Sequence, residues 1–224
     1  GAQQWQVLQG DLPFPLAVIR QTALEHNLHW MQNFCNERGL DIAPHGKTTM
    51  SPELYHLQLQ AGAWGISFAT VFQASLGARN GVKRIIIANQ VFQASDLDAL
   101  SHLLETHSDV SVFFLVDSLA QLKQIEAWRA SSSSQQAFTV LIELGINGKR
   151  TGCRDHATAM QLAREIKAMS ETIPMAAGNI AQIVEAGARM GIQGKDNLIT
   201  YAKLTATMAT AFDLPVEQTG DQIG

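Results

Sequence analysis

Between about residues 14 and 168 the chain alternates two textures, and this alternation constrains the fold more than any other feature. Short apolar or β-rich runs end in small and polar residues, and longer stretches with apolar residues every three or four positions follow them. Six runs read as strands: 15–19, 40–44, 65–69, 84–88, 110–116 and 138–142. Within them, 85–88 and 112–116 are almost unbroken apolar sequence, the pattern of a strand covered on both faces. That predicts a parallel sheet with helices outside it.

Helical stretches fill the gaps. Over 22–38, Leu24, Leu28, Met31 and Cys35 share one stripe, and Gly39 follows as a C′ residue. Ser51-Pro52-Glu53-Leu54 opens a second helix, with Ser51 as N-cap and Pro52 at the first helical position, and Gly62 ends it. Stretches 95–105 and 118–129 repeat the pattern, and Asp155 caps a helix reaching about Met169. The serine run 131–134 reads as a flexible surface connection. Connections this short make βαβ units. No Gly-x-Gly-x-x-Gly turn follows the first strand, which disfavours a dinucleotide-binding sheet and favours a (β/α)8 barrel with reactive residues where strands end. After Met169 the stretches 180–190 and 197–212 look helical and no strand is evident, so only five or six of eight strands can be counted. The expected division is a barrel portion over 1–169 and a helical remainder or fragment tail over 170–224, the barrel being incomplete.

Composition narrows the functional classes. The 224 residues carry 16 basic and 20 acidic side chains, net −4, with no Lys/Arg-dense stretch. A footprint for nucleic acid or an anionic membrane is lacking. No apolar run approaches the ~20 residues that span a bilayer, and residues 1–5 show no signal-peptide pattern. Cys35 and Cys153 form no C-x-x-C pair. They are expected as free thiols in a reducing cytoplasm.

Chemistry concentrates in Ala43-Pro44-His45-Gly46-Lys47-Thr48-Thr49-Met50-Ser51-Pro52, where the second strand run meets a capped helix. Gly46 lets the backbone approach whatever lies beside it. A lysine in a partly dry mouth has a lowered amine pKa and can act as a nucleophile, forming a Schiff base. Taken alone, a lysine in a threonine-rich loop reads first as a solvated surface charge. Likewise His45 reads as a histidine bonded to a backbone carbonyl, Arg150 as a turn residue, and Asn89 as a side chain capping a strand end. His26 and His29 stand at i, i+3 without a third metal ligand.

Four motifs in order go further: Pro44-His45-Gly46-Lys47-Thr48-Thr49; Ala61-Gly62-Ala63-Trp64-Gly65-Ile66 with Ala69-Thr70; Ala88-Asn89-Gln90; and Glu143-Leu144-Gly145 with Lys149-Arg150-Thr151-Gly152-Cys153-Arg154. Together, over roughly residues 12 to 168, they resemble the bacterial amino acid deaminase (D-serine deaminase) family, grouped with D-threonine aldolases and D-serine dehydratases on the alanine racemase barrel. The resemblance implies pyridoxal 5′-phosphate held as a Schiff base on Lys47, with His45 packing beside or polarising the ring. It also implies Arg150 near the cofactor's phenolic oxygen and Asn89 at the same mouth. It implies a lyase acting on D-amino acids, by loss of water and ammonia from D-serine-like substrates or by aldol cleavage of β-hydroxy-D-amino acids, and a homodimer. A cofactor-carrying barrel without a reaction and an inactive fragment are the alternatives. The family's Tyr-x-Gly strand and phosphate-holding Gly-rich turn have no counterpart here: Ala177-Gly178-Asn179 lacks a tyrosine, and the two tyrosines are Tyr55 and Tyr201. Nor does any segment read as the family's C-terminal β domain, so no metal ligand is assigned.

Overall fold

The computed structural model describes residues 4–172. Four parallel strands form one sheet in the order β1-β2-β3-β4: β1 (Ile66–Phe68), β2 (Arg84–Gln90), β3 (Ser111–Val116) and β4 (Thr139–Ile142). Around them run α1 (Gln21–Asn36), α2 (Pro52–Gln60), α3 (Val71–Arg79), α4 (Ala94–Thr106), α5 (Leu119–Ser131) and α6 (His156–Thr172). The α/β class and the parallel pairing are as the sequence predicts. The stretches 180–190 and 197–212 lie outside the described residues.

Each strand alternates a buried residue with a half-exposed one. Ile66, Phe68, Ile85, Ile87, Val112, Phe114, Val116, Val140 and Ile142 face the helices and are buried. They pack with Ala74 and Ala78 of α3, Leu97 and Leu100 of α4, Leu122, Ile125 and Trp128 of α5, and Leu162, Ala163 and Ile166 of α6. Phe138 sits edge-on to Phe114 at 5.9 Å and stacks on Trp128 at 5.3 Å. Gly77 brings α3 close to β1, since a Cβ there would stand 2.5 Å from the Phe68 ring. The opposite sheet face, with Ser67, Ile86, Phe113, Leu115 and Leu141, is only half-buried. Coverage of both faces, expected from the apolar runs, is therefore not achieved by the described residues.

Two of the six predicted strands differ. Residues 15–19 form no strand, and Val18 and Ile19 are 67% and 65% exposed. Their β-favouring side chains find no partner strand among the described residues, and propensity without pairing does not hold a strand. Residues 40–44 are not a full strand either, but they run beside β1. Ser67 N–H donates to Pro44 O (2.8 Å), Gly46 N–H to Ser67 O (2.7 Å), and Trp64 N–H to Ile42 O (2.8 Å). His45 bridges Ser67 in parallel. Pro44, which has no N–H, interrupts the ladder.

The sequence periodicity predicts no helix where α3 (Val71–Arg79) forms. Its start is set by Thr70, whose hydroxyl accepts from Gln73 N–H. Asp155 caps α6 as expected, accepting from Thr158 N–H at 2.8 Å. Ser51 stands at the N-cap of α2, but its hydroxyl donates to Glu53 instead of capping backbone. Of the α1 stripe only Cys35 is buried, while Met31 is exposed. The serine run is pinned, not free: Ser134 bonds Ser101 and Glu105, and Arg129 donates to the carbonyls of Ser134 and Gln136.

Candidate functional site

Because every strand runs the same way, the chain leaves the sheet at one end after His45, Phe68, Gln90, Val116 and Ile142. Lys47 and Arg150 follow such exits and Asn89 is the penultimate residue of β2, so the fold gathers the sequence candidates at the C-terminal edge of one sheet. It does not place them side by side. From the 42–46 segment to β4 there are four inter-strand steps.

Local packing fixes the backbone at Lys47. Gly46 is buried, and a Cβ there would stand 2.8 Å from the Tyr55 ring, 2.9 Å from Ile66 and 2.9 Å from Phe68. Tyr55 is wholly buried, its hydroxyl donates to Gly46 O at 3.1 Å, and Met50 N–H donates to the same carbonyl at 3.0 Å. The close approach that Gly46 permits is thus to the core, not to a ligand. Burial also pushes the Tyr55 phenol up from its ordinary value.

Lys47 itself is exposed, and no described residue bonds or ion-pairs its amine. The sheltered mouth expected for it is not supplied by the described residues. His45 is also exposed, and its Nδ1 lies 3.0 Å from Ser67 O. A carbonyl only accepts, so Nδ1 carries the proton and a neutral ring presents Nε2 as an acceptor. Asn89 Nδ2 donates to Ala69 O at 2.9 Å, the strand-end bond that its sequence position also suggested. Arg150 is exposed and no described residue bonds its guanidinium.

Sequence reasoning missed a polar chain at the same edge. Gln90 Nε2 donates to Asp117 Oδ2 at 3.0 Å and to Glu143 Oε2 at 2.7 Å. Gly152 N–H donates to Asp117 Oδ2 at 2.9 Å, and the Thr151 hydroxyl to Glu143 Oε1 at 2.8 Å. Cys153, buried next to it, donates its S–H to Asp117 O. Burial, with the Asp117, Asp155 and Glu143 carboxylates adding to it, pushes that thiol up to about 11. The available signal was positional: Gln90, Asp117 and Glu143 sit one βα unit apart, at or just after successive strand ends.

Residues 19–178 match the family described as alanine racemase, N-terminal domain. The chain belongs to this family. Among its relatives is the 3-hydroxy-D-aspartate aldolase of Paracoccus denitrificans, 24% identical over 157 residues, which are 70% of this chain and 40% of that protein. Another is the D-threo-3-hydroxyaspartate dehydratase of Delftia sp. strain HT23, 30% identical over 152 residues, 68% of this chain and 39% of that protein. The crystal structure of D-threonine aldolase from Filomicrobium marinum superposes with a TM-score of 0.63 at 24% identity, covering 70% of this chain and 41% of that one. The chain therefore has the alanine racemase-like fold and spans about two-fifths of the length of these relatives. Among the described residues no helix is long and apolar enough to cross a membrane.

The described residues fit part of a pyridoxal phosphate site. An unpaired amine stands at the C-terminal edge of a parallel sheet, next to a histidine whose free nitrogen is set by Ser67, and a gripped turn after β4 carries a cation along the same edge. The segment where the family's Tyr-x-Gly is expected lies outside the described residues.

Proposed function

We propose that this chain is the cofactor-binding part of a pyridoxal phosphate-dependent lyase for D-amino acids. The observation that carries this reading is Lys47, an amine without a bonding partner among the described residues, held at a strand exit by buried Gly46. Lys47 would hold the cofactor through its amine, His45 would offer Nε2 beside it, and Arg150 would supply a cation to it. Asn89 acts through the backbone, tying the ends of β1 and β2 together at the same edge. When bound, the cofactor supplies an electron sink for the pair left at the substrate's α-carbon.

The names of the three relatives share one chemical class, D-configured amino acids with a hydroxyl on the β-carbon. That supports β-hydroxy-D-amino acids as substrates, consumed either by elimination of water followed by hydrolysis of the resulting imine to ammonia and a keto acid, or by cleavage to glycine and an aldehyde. Supplied with pyridoxal phosphate, the protein is expected to consume D-serine, D-threonine or D-3-hydroxyaspartate and to leave the L-forms untouched. Cofactor uptake with no turnover of any of them favours a cofactor-holding barrel or an incomplete enzyme over a working lyase. The exposure of Lys47 and His45 favours a second reading, a barrel that holds the cofactor without a reaction, and the same assay separates the two. Buried, unpaired Cys35 and Cys153 support a cytoplasmic setting. The homodimer implied by the resemblance is tested by the mass of the protein in solution.

A further inference from the structure

The turn that carries Arg150 is held from behind by the polar chain described above. Its backbone has little freedom on the β4 side: a Cβ on Gly152 would stand 2.4 Å from Gly145 N, and one on Gly145 would stand 2.1 Å from Thr151 O. Gly145 N–H donates to Cys153 O at 2.9 Å and Cys153 N–H to Glu143 O at 2.7 Å, closing the turn onto the strand exit. The side chains then orient it. Thr151 is gripped by Glu143 and the Gly152 N–H by Asp117. These carboxylates come from two different strand exits, and both meet the single Gln90 amide. A carboxylate only accepts, so both bonds must come from the Gln90 NH2 group, and its two N–H donors are both used. No other side chain of the described residues joins Asp117 to Glu143.

We infer that Gln90 is a positioning residue: its amide locks Asp117 and Glu143 so that they hold Thr151 and Gly152, and thereby aim Arg150 at the cofactor. The inference rests on the proposed role of Arg150 and adds the device that makes this role effective. In this role Gln90 acts through the turn, by its bonds to Asp117 and Glu143.

The test is a double-mutant cycle read by pyridoxal phosphate affinity, measured by absorbance on the full 224-residue chain. Arg150→Ala and Gln90→Leu are each expected to weaken retention about tenfold, the scale of one lost charge-assisted hydrogen bond. If Gln90 works through the turn, the double variant weakens retention by about the same tenfold and not by roughly a hundredfold, because coupled residues are not additive. Thr151→Val, which removes the hydroxyl but keeps the shape, is expected to behave like Gln90→Leu, and Thr151→Ser to restore wild-type affinity. This pair carries the test if Gln90→Leu does not fold. Wild-type affinity in Gln90→Leu, or additive losses in the double variant, overturns the inference while leaving the cofactor reading intact. A wild-type chain that takes up no pyridoxal phosphate overturns both.

Discussion

At the residue scale, two side-chain environments make sharp demands. Gly46 has no room for a methyl group, because the buried rings of Tyr55 and Phe68 and the side chain of Ile66 already stand within 3 Å of where it would be. Gly46→Ala is expected to cost about 1–3 kcal/mol, the usual penalty of overpacking. It should also displace Lys47. Urea unfolding checks the first expectation, and wild-type stability in the variant contradicts it. Cys153 makes a pH-dependent demand. Its thiol ionises near 9 when unfolded and is pushed up to about 11 in the fold. The folded state therefore keeps a proton that the unfolded chain releases. This contribution to stability is intact below pH 9 and is lost as pH rises from 9 to 11, by at most roughly 1.4 kcal/mol per pH unit. The urea midpoint should fall across that window, and the fall should be smaller in Cys153→Ala. Equal alkaline slopes in both proteins contradict it.

At the scale of elements, what the sequence revealed depended on what each element packs against. Strands β2, β3 and β4 were legible because Ile85, Ile87, Val112, Phe114, Val140 and Ile142 make dense apolar runs, and these are the residues that the helices bury. The run 15–19 has the same β-favouring chemistry but no neighbour among the described residues, and composition alone could not reveal that. Helix α3 was missed for the opposite reason: it is nine residues long, contains Gly77, and is too short for its period to stand out. Its start is written in Thr70 and Gln73, a pair that the family motif Ala69-Thr70 overlaps. Thr70 thus has a structural use whatever else it does. Thr70→Ala is expected to destabilise the protein by about 1 kcal/mol through the lost cap. An unchanged thermal midpoint contradicts that role.

At the scale of the whole molecule, parallel pairing makes the site intelligible, because it sends every strand exit to one end. Lys47 and Arg150 were legible as candidates because each lies in a motif with its own glycines. The connection Gln90-Asp117-Glu143 was not, although Gln90 and Glu143 stand in family motifs, because only the sheet order makes residues at separate strand ends neighbours. The half-buried sheet face bearing Phe113, Leu115 and Leu141 lies between the strand exits near which these candidates stand. The proposed role of the Lys47 amine is tested most directly by incubating the protein with pyridoxal phosphate, reducing it with borohydride and mapping the modified peptide. One pyridoxyl group on Lys47, lost in Lys47→Ala, is the predicted result; modification of other lysines in proportion to their exposure, unchanged in that variant, would contradict it.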